Sequence, residues 1–157
     1  MQNIFPTLWF NDNGEEAAKF YVSVFKNSRI LETSYYGEGA PLPEGTALTV
    51  IFELDGVKFS ALNGGPHVEF TEAVSFTVDA HTQQEIDHLW NALTADGGSP
   101  GQCGWLKDRY GVSWQIVPPI LGTLLSQDNP ERVARVMRVM LGQTKIVIRE
   151  LQAASDG

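Results

Sequence analysis

One arrangement occurs twice along this chain and restricts its fold more than any other feature. A short alternating strand leads into a capped amphipathic helix, and further strands joined by a tight glycine turn follow. In the first copy, Ile4–Phe10 alternates, with Leu8 and Phe10 on one side and Thr7 and Trp9 on the other. Pro6 lacks an amide hydrogen, so this strand is expected to start at a sheet edge or a bulge. Asn13 can cap a helix, and Glu16 stands at the third helical position to return the hydrogen bond. Ala17, Phe20, Tyr21 and Val24 then form an apolar stripe at helical spacing. Arg29–Tyr36 reads as a strand and Gly37–Gly45 as a loop. Ala47–Leu54 and Lys58–Leu62 form a hairpin about Asp55-Gly56, and Asn63-Gly64-Gly65-Pro66 closes the unit.

The second copy begins with a strand at Ala73–Val78, and Thr82 with Glu85 makes a capping box. Ile86, Leu89, Trp90 and Leu93 form the helical stripe, which Asp96-Gly97-Gly98 ends. Strands at Trp105–Lys107 and Val112–Val117 flank the turn Asp108-Arg109-Tyr110-Gly111, and Pro118-Pro119 stops the second. Laying Glu16 on Glu85 aligns the two orders of elements, though no identity of residues accompanies the match. In the tail, Asn129 and Pro130 start a helix with Val133, Val136, Met137, Met140 and Leu141 on one face. Arg132, Arg135 and Arg138 stand along another. Lys145–Leu151 is expected as a short appendage, helix or strand, and Ala153–Gly157 as a frayed end. The fold class is therefore α+β. Within one domain, 1–157, it has two βαβββ modules, 1–66 and 70–118, and a C-terminal helical extension, 119–157.

Composition narrows the partners. At 157 residues and 43% hydrophobic, the chain can bury a substantial core. Eleven Lys and Arg against nineteen Asp and Glu leave a net charge of −8, which repels nucleic-acid phosphates and anionic membranes. A single cysteine forms no intramolecular disulfide and no cysteine-based zinc site, as suits a reducing cytoplasm. Met1–Phe10 lacks the pattern of a secretion signal, and no apolar run reaches the roughly 18 residues of a membrane span. A cytoplasmic location is expected.

Several stretches resemble one known group. Ile4–Phe10, Glu16-Ala17-Ala18-Lys19-Phe20-Tyr21, Leu62-Asn63-Gly64-Gly65, Arg135-Val136-Met137 and, most specifically, Trp105–Pro118 carry the resemblance. The chain resembles the vicinal-oxygen-chelate superfamily of glyoxalases, bleomycin-resistance proteins and extradiol dioxygenases. Within it, the likeness is to the PhnB-like group often labelled 3-demethylubiquinone-9 3-methyltransferase. The resemblance implies that each module curls its sheet into a half-cup and that the cups enclose a cavity. Superfamily enzymes hold a divalent metal there, and carrying those positions across puts them on Phe5, Ser60 and Gln115, with a fourth near Glu72–Ser75. Phe5 offers no donor atom, so the inherited metal site is expected to be lost.

Other chemistry finds less support. His81 and His88 are two helical turns apart, too far for one metal, and His67 is a loop residue without an identifiable partner. Cys103, in Gly101-Gln102-Cys103-Gly104, has no cation placed beside it that would activate a thiolate. Neither Asn63-Gly64-Gly65-Pro66 nor Asp96-Gly97-Gly98 has the pattern of a phosphate or dinucleotide loop, and no cofactor is expected. The parallel sheet and glycine-rich first loop usual for S-adenosylmethionine enzymes are not evident. Trp9 and Trp105, with Thr7, Ser60, Ser75 and Gln115, fall on strand positions that should face the cup. Asn63 joins them at the strand end, and aromatic walls with a few polar groups are the usual make-up of a small-molecule pocket. These seven are the expected ligand-binding residues, with Gln115 the candidate for polarising a carbonyl or oxyanion. The expected function is a small-molecule-binding protein or metal-independent enzyme acting as a homodimer. The alternatives are a metal-dependent lyase or dioxygenase using His67 with Glu69 or Glu72, and the methyltransferase of the label.

Overall fold

A computed structural model describes residues 2–157 and divides the chain into two compact units, one running to Phe70 and the other Thr71–Gly157. The first unit consists of β1 (Thr7–Phe10), α1 (Gly14–Val24), β2 (Arg29–Tyr35), β3 (Ala47–Leu54) and β4 (Val57–Asn63). Its sheet runs β1-β4-β3-β2, with β1 parallel to β4 and the other neighbours antiparallel. Alternation sends Leu8, Phe10, Val50, Phe52, Phe59 and Ala61 to one face, where α1 covers them with Ala17, Ala18 and Tyr21. Tyr21 stacks on Phe52 and Phe52 on Phe59, at centroid distances of 6.3 and 5.5 Å.

Two local expectations change here. The first strand is shorter than Ile4–Phe10, and Ile4 is left 95% exposed because pairing starts with the Ser60 amide on the Pro6 carbonyl. Asn13 precedes α1 without bonding it through its side chain. The amide of Gly14 instead donates to Asn63 Oδ1 on β4, at 2.7 Å. That contact requires glycine, since a Cβ at Gly14 would itself lie 2.7 Å from the same oxygen.

The second unit consists of β5 (Phe76–Asp79), α2 (Gln83–Thr94), β6 (Ser99–Pro100), β7 (Trp105–Lys107) and β8 (Ser113–Val117), followed by α3 (Pro119–Leu125), α4 (Pro130–Gly142) and α5 (Ile148–Asp156). Its sheet, β5-β8-β7-β6, repeats the order of the first, with β5 parallel to β8. Thr82 caps α2 through the Glu85 amide, and Glu85 answers by accepting from the His81 amide, one residue further back than expected. Asn129 caps α4 as its position predicts, accepting from the Arg132 amide. The frayed end is corrected: α5 continues to Asp156, and Ser155 is buried. Arg135 closes that terminus by donating to the Ala154 and Ser155 carbonyls at 2.7 and 3.1 Å. Ile146 and Leu151, both fully buried, tie the extension to this unit.

Candidate functional site

The expected ligand-binding residues divide between the two units. Thr7, Trp9, Ser60 and Asn63 lie in the first, and Ser75, Trp105 and Gln115 in the second. In the first unit, Thr7 pairs with Ser60 across the parallel ladder and Trp9 with Leu62, so these side chains share the face opposite α1. The Trp9 indole lies directly over Gly64, where a Cβ would come within 2.2 Å of the ring, and its Nε1 donates to the Gly65 carbonyl at 3.0 Å. The glycine pair thus holds an aromatic side chain flat. Beside it, the Lys58 ammonium stands 4.2 Å above the Phe5 ring.

Asn63 does not belong with this group. Its register partner is Phe10, on the helix face, and only 2% of its surface is exposed. Its amide is engaged at both ends, accepting from Gly14 and donating to the Ala47 carbonyl at 2.9 Å. Its role is to tie α1 to the sheet.

In the second unit, Gln115 is the register partner of both Trp105 and Thr77, so all three stand in a row on the face opposite α2. Gln115 Nε2 donates to Ser75 Oγ at 2.9 Å. This leaves the Gln115 carbonyl oxygen, its second Nε2 hydrogen and the Ser75 proton for a ligand. Trp105 also borders a cavity of about 530 Å³, lined in addition by Glu72, Ser99–Cys103, Leu106, Lys107 and Ser113. Sequence reasoning missed Ser113, although it stands two residues before Gln115 on the same strand and shares its face.

The turn Asp108-Arg109-Tyr110-Gly111, the most specific part of the resemblance, is built around one carboxylate. Buried Asp108 accepts from the Tyr110 and Val112 amides through Oδ1 and from Trp114 Nε1 through Oδ2, at 2.8, 3.1 and 2.9 Å. That motif is structural. Trp90 and Trp114 are buried core residues, as their helix-facing positions predict.

The superfamily's metal positions do not form a donor set. Phe5 has no donor, Ser60 is a buried hydroxyl, and Gln115 is a neutral amide already bonded to Ser75. Glu72 is spent on Lys107 at 2.7 Å, and this hydrogen bond and charge hold its carboxyl below the usual carboxylate range. His67, His81 and His88 are exposed. Among the described residues, no three His, Cys, Asp or Glu side chains converge where an ion could sit. Hard divalent ions and zinc alike need more than these residues supply.

Comparison with known proteins agrees with this architecture. The family model described as 3-demethylubiquinone-9 3-methyltransferase matches residues 2–117. A PhnB protein from Bacillus cereus, described as a putative 3-demethylubiquinone-9 3-methyltransferase, is 35% identical. It superposes with a TM-score of 0.69 over 74% of this chain and 99% of its own. Protein PA1353 from Pseudomonas aeruginosa, 22% identical over 74% of this chain and 96% of its own, shares the fold with a TM-score of 0.62. FosX, a fosfomycin resistance protein from Listeria monocytogenes complexed with Mn(II) and sulfate, is 15% identical, with a TM-score of 0.50 over 74% of this chain and 89% of its own. No curated protein matches. The chain belongs to the PhnB-like, 3-demethylubiquinone-9 3-methyltransferase family, and its fold is of the glyoxalase/bleomycin-resistance type. α3–α5 lie beyond the family match.

Proposed function

We propose that the protein binds a small organic molecule, without a metal, on the helix-free face of its second sheet. The row Ser75–Gln115–Trp105 carries this reading, because it sets a flat aromatic surface beside an amide oxygen and a hydroxyl that the fold leaves available. In the first unit, Trp9, braced on its glycines, stands with Thr7 and Ser60 on a face of the same kind. If turnover occurs, the Gln115 and Ser75 polar hydrogens are the groups able to polarise a carbonyl. The methyltransferase label gains nothing from the fold, since neither sheet is the parallel one such chemistry usually employs. A cytoplasmic homodimer is part of the proposal. Its support is the lone free Cys103 and the exposed apolar pair Met137 and Leu141 on α4.

The test is a thermal-shift screen of a small-molecule library against chelator-treated protein, with hits titrated against Gln115→Leu and Trp105→Ala. The expected result is binding that survives the chelator and weakens about tenfold or more in either variant. Binding that requires about one tightly held Zn, Ni, Mn or Fe per chain would overturn the reading in favour of a metal-dependent lyase or dioxygenase.

A further inference from the structure

We infer that the outer face of α4 is a self-complementary interface, on which a second copy of this chain docks antiparallel about a two-fold axis at Ala134. This rests on the proposal of a homodimer, and it adds the surface, the register and the residues that set them.

Helix geometry defines the face. α4 turns Val136 fully inward and half-buries Val133 and Met140. Pro130, Glu131, Ala134, Met137, Arg138 and Leu141 are all exposed. At roughly 100° per residue, these six share one arc of about 120°. Ala134 is at its centre, with Pro130, Met137 and Leu141 along one flank and Glu131 and Arg138 along the other. The apolar stripe expected for this helix is therefore split, and Met137 and Leu141 point outward at 38% and 59% exposure. α4 lies beyond the family match, so this face is not one that the matched core supplies.

Charge selects the occupant and its direction. Among the described residues, the Glu131 and Arg138 side chains have neither an ion-pair nor a hydrogen-bond partner. Arg135, four positions after Glu131, is already committed to the Ala154 and Ser155 carbonyls. Glu131 stands three residues before Ala134 and Arg138 four after it. Two antiparallel copies centred on Ala134 therefore set Glu131 beside the partner's Arg138, offset along the axis by about 1.5 Å, and symmetry repeats the pair. The same axis brings apolar flank to apolar flank, with Met137 against the partner's Pro130. The small side chain at the centre lets the helices approach closely. A parallel pair would oppose glutamate to glutamate and arginine to arginine, which charge disfavours.

The two flanks have different tasks. Exposed ion pairs contribute little affinity, so Glu131 and Arg138 fix orientation while the apolar flank supplies the attraction. One face of a 13-residue helix falls short of the roughly 1,200 Å² that a stable interface buries. The dimer should thus be weak and reversible, in the micromolar range.

The test is sedimentation of the full chain up to about 1 mM, with charge variants. Glu131→Arg and Arg138→Glu each oppose like charges across the two-fold, and each should weaken dimerisation about tenfold. The double variant, and an equimolar mixture of the two single variants, should return to within about threefold of the parent. Both positions are exposed, so these variants keep the folded monomer. Ala134→Cys in a Cys103→Ser background should also cross-link to its own copy under oxidised glutathione. A dimer indifferent to the charge variants would overturn this interface while leaving the homodimer standing. Weakening that the double variant does not reverse would overturn the antiparallel register, and a dimer that fails to cross-link would overturn the axis at Ala134. A parent that stays monomeric throughout would overturn the interface and the homodimer together.

Discussion

Asp108 shows how a single side chain can organise a turn. Three donors converge on its buried carboxylate, two from the backbone and one from the Trp114 indole. Asp108→Ala leaves all three in a buried site without an acceptor, so the variant should lose about 3 kcal/mol in chemical denaturation. A midpoint within error of the parent would show that water replaces the carboxylate. Gly64 is constrained from the opposite direction, by space. In Gly64→Ala the new methyl cannot coexist with the Trp9 ring, so the indole should swing out and lose its bond to Gly65, costing about 1–3 kcal/mol. Unchanged tryptophan emission would contradict this. Residue types were legible in the sequence at both places, but their purposes were legible at neither. The glycines read as a turn, and Asn63 read as a ligand contact because the strand was drawn to end at Leu62. One more residue of pairing puts Asn63 in register with Phe10 and sends its amide to the helix side.

At the scale of elements, the strongly periodic ones were recoverable and the weakly patterned ones were not. α1, α2 and α4 show stripes and caps, and β3 matches its expected span Ala47–Leu54. β6 is two residues, Ser99–Pro100, too short to alternate. α3 was hidden by Pro118-Pro119, which reads as a stop to the strand but also supplies a proline at a helix's first position. α5 has no side-chain cap, and its end is secured by Arg135 from α4, a contact that no local window contains. Its approach is also secured electrostatically. Asp87 on α2 meets Lys145 at 2.8 Å, and hydrogen bonds from Lys145 and then Gln83 hold its carboxyl below the usual aspartate range. Because the folded value is depressed, this contribution is present above the ordinary aspartate range and is lost as pH falls through the folded value. Amide exchange at residues 145–148, taken relative to the intrinsic rate at each pH, should therefore quicken with acidification in the parent. In Asp87→Asn it should be faster at neutral pH and respond less to acid. Equal pH profiles in the two proteins would refute the linkage.

At the scale of the whole molecule, the family core and the extension have different sequence status but share hydrogen bonds. The family match stops at Val117, the last residue of β8, and the Bacillus cereus relative, matched over 74% of this chain and 99% of its own, keeps the fold with a TM-score of 0.69. The extension is nevertheless wired into the second unit. Gln83 on α2 donates to the Ile146 carbonyl and accepts from the Ile148 amide, at 3.0 and 2.9 Å, and the Cys103 and Gly104 amides end on Gln143 and Thr144. Cutting the chain after Pro118 removes these partners and uncovers the surface that Leu121, Val136, Ile146 and Leu151 bury. The second sheet's own ladder, β5-β8-β7-β6, does not depend on them. The truncated chain should thus retain protected amides in β5 and β8 while Cys103 and Gly104 exchange freely, and it should bind a hydrophobic dye that the full chain does not. Loss of protection throughout β5–β8 would instead mean that the extension is part of the core it packs on, and that the second unit cannot fold without it.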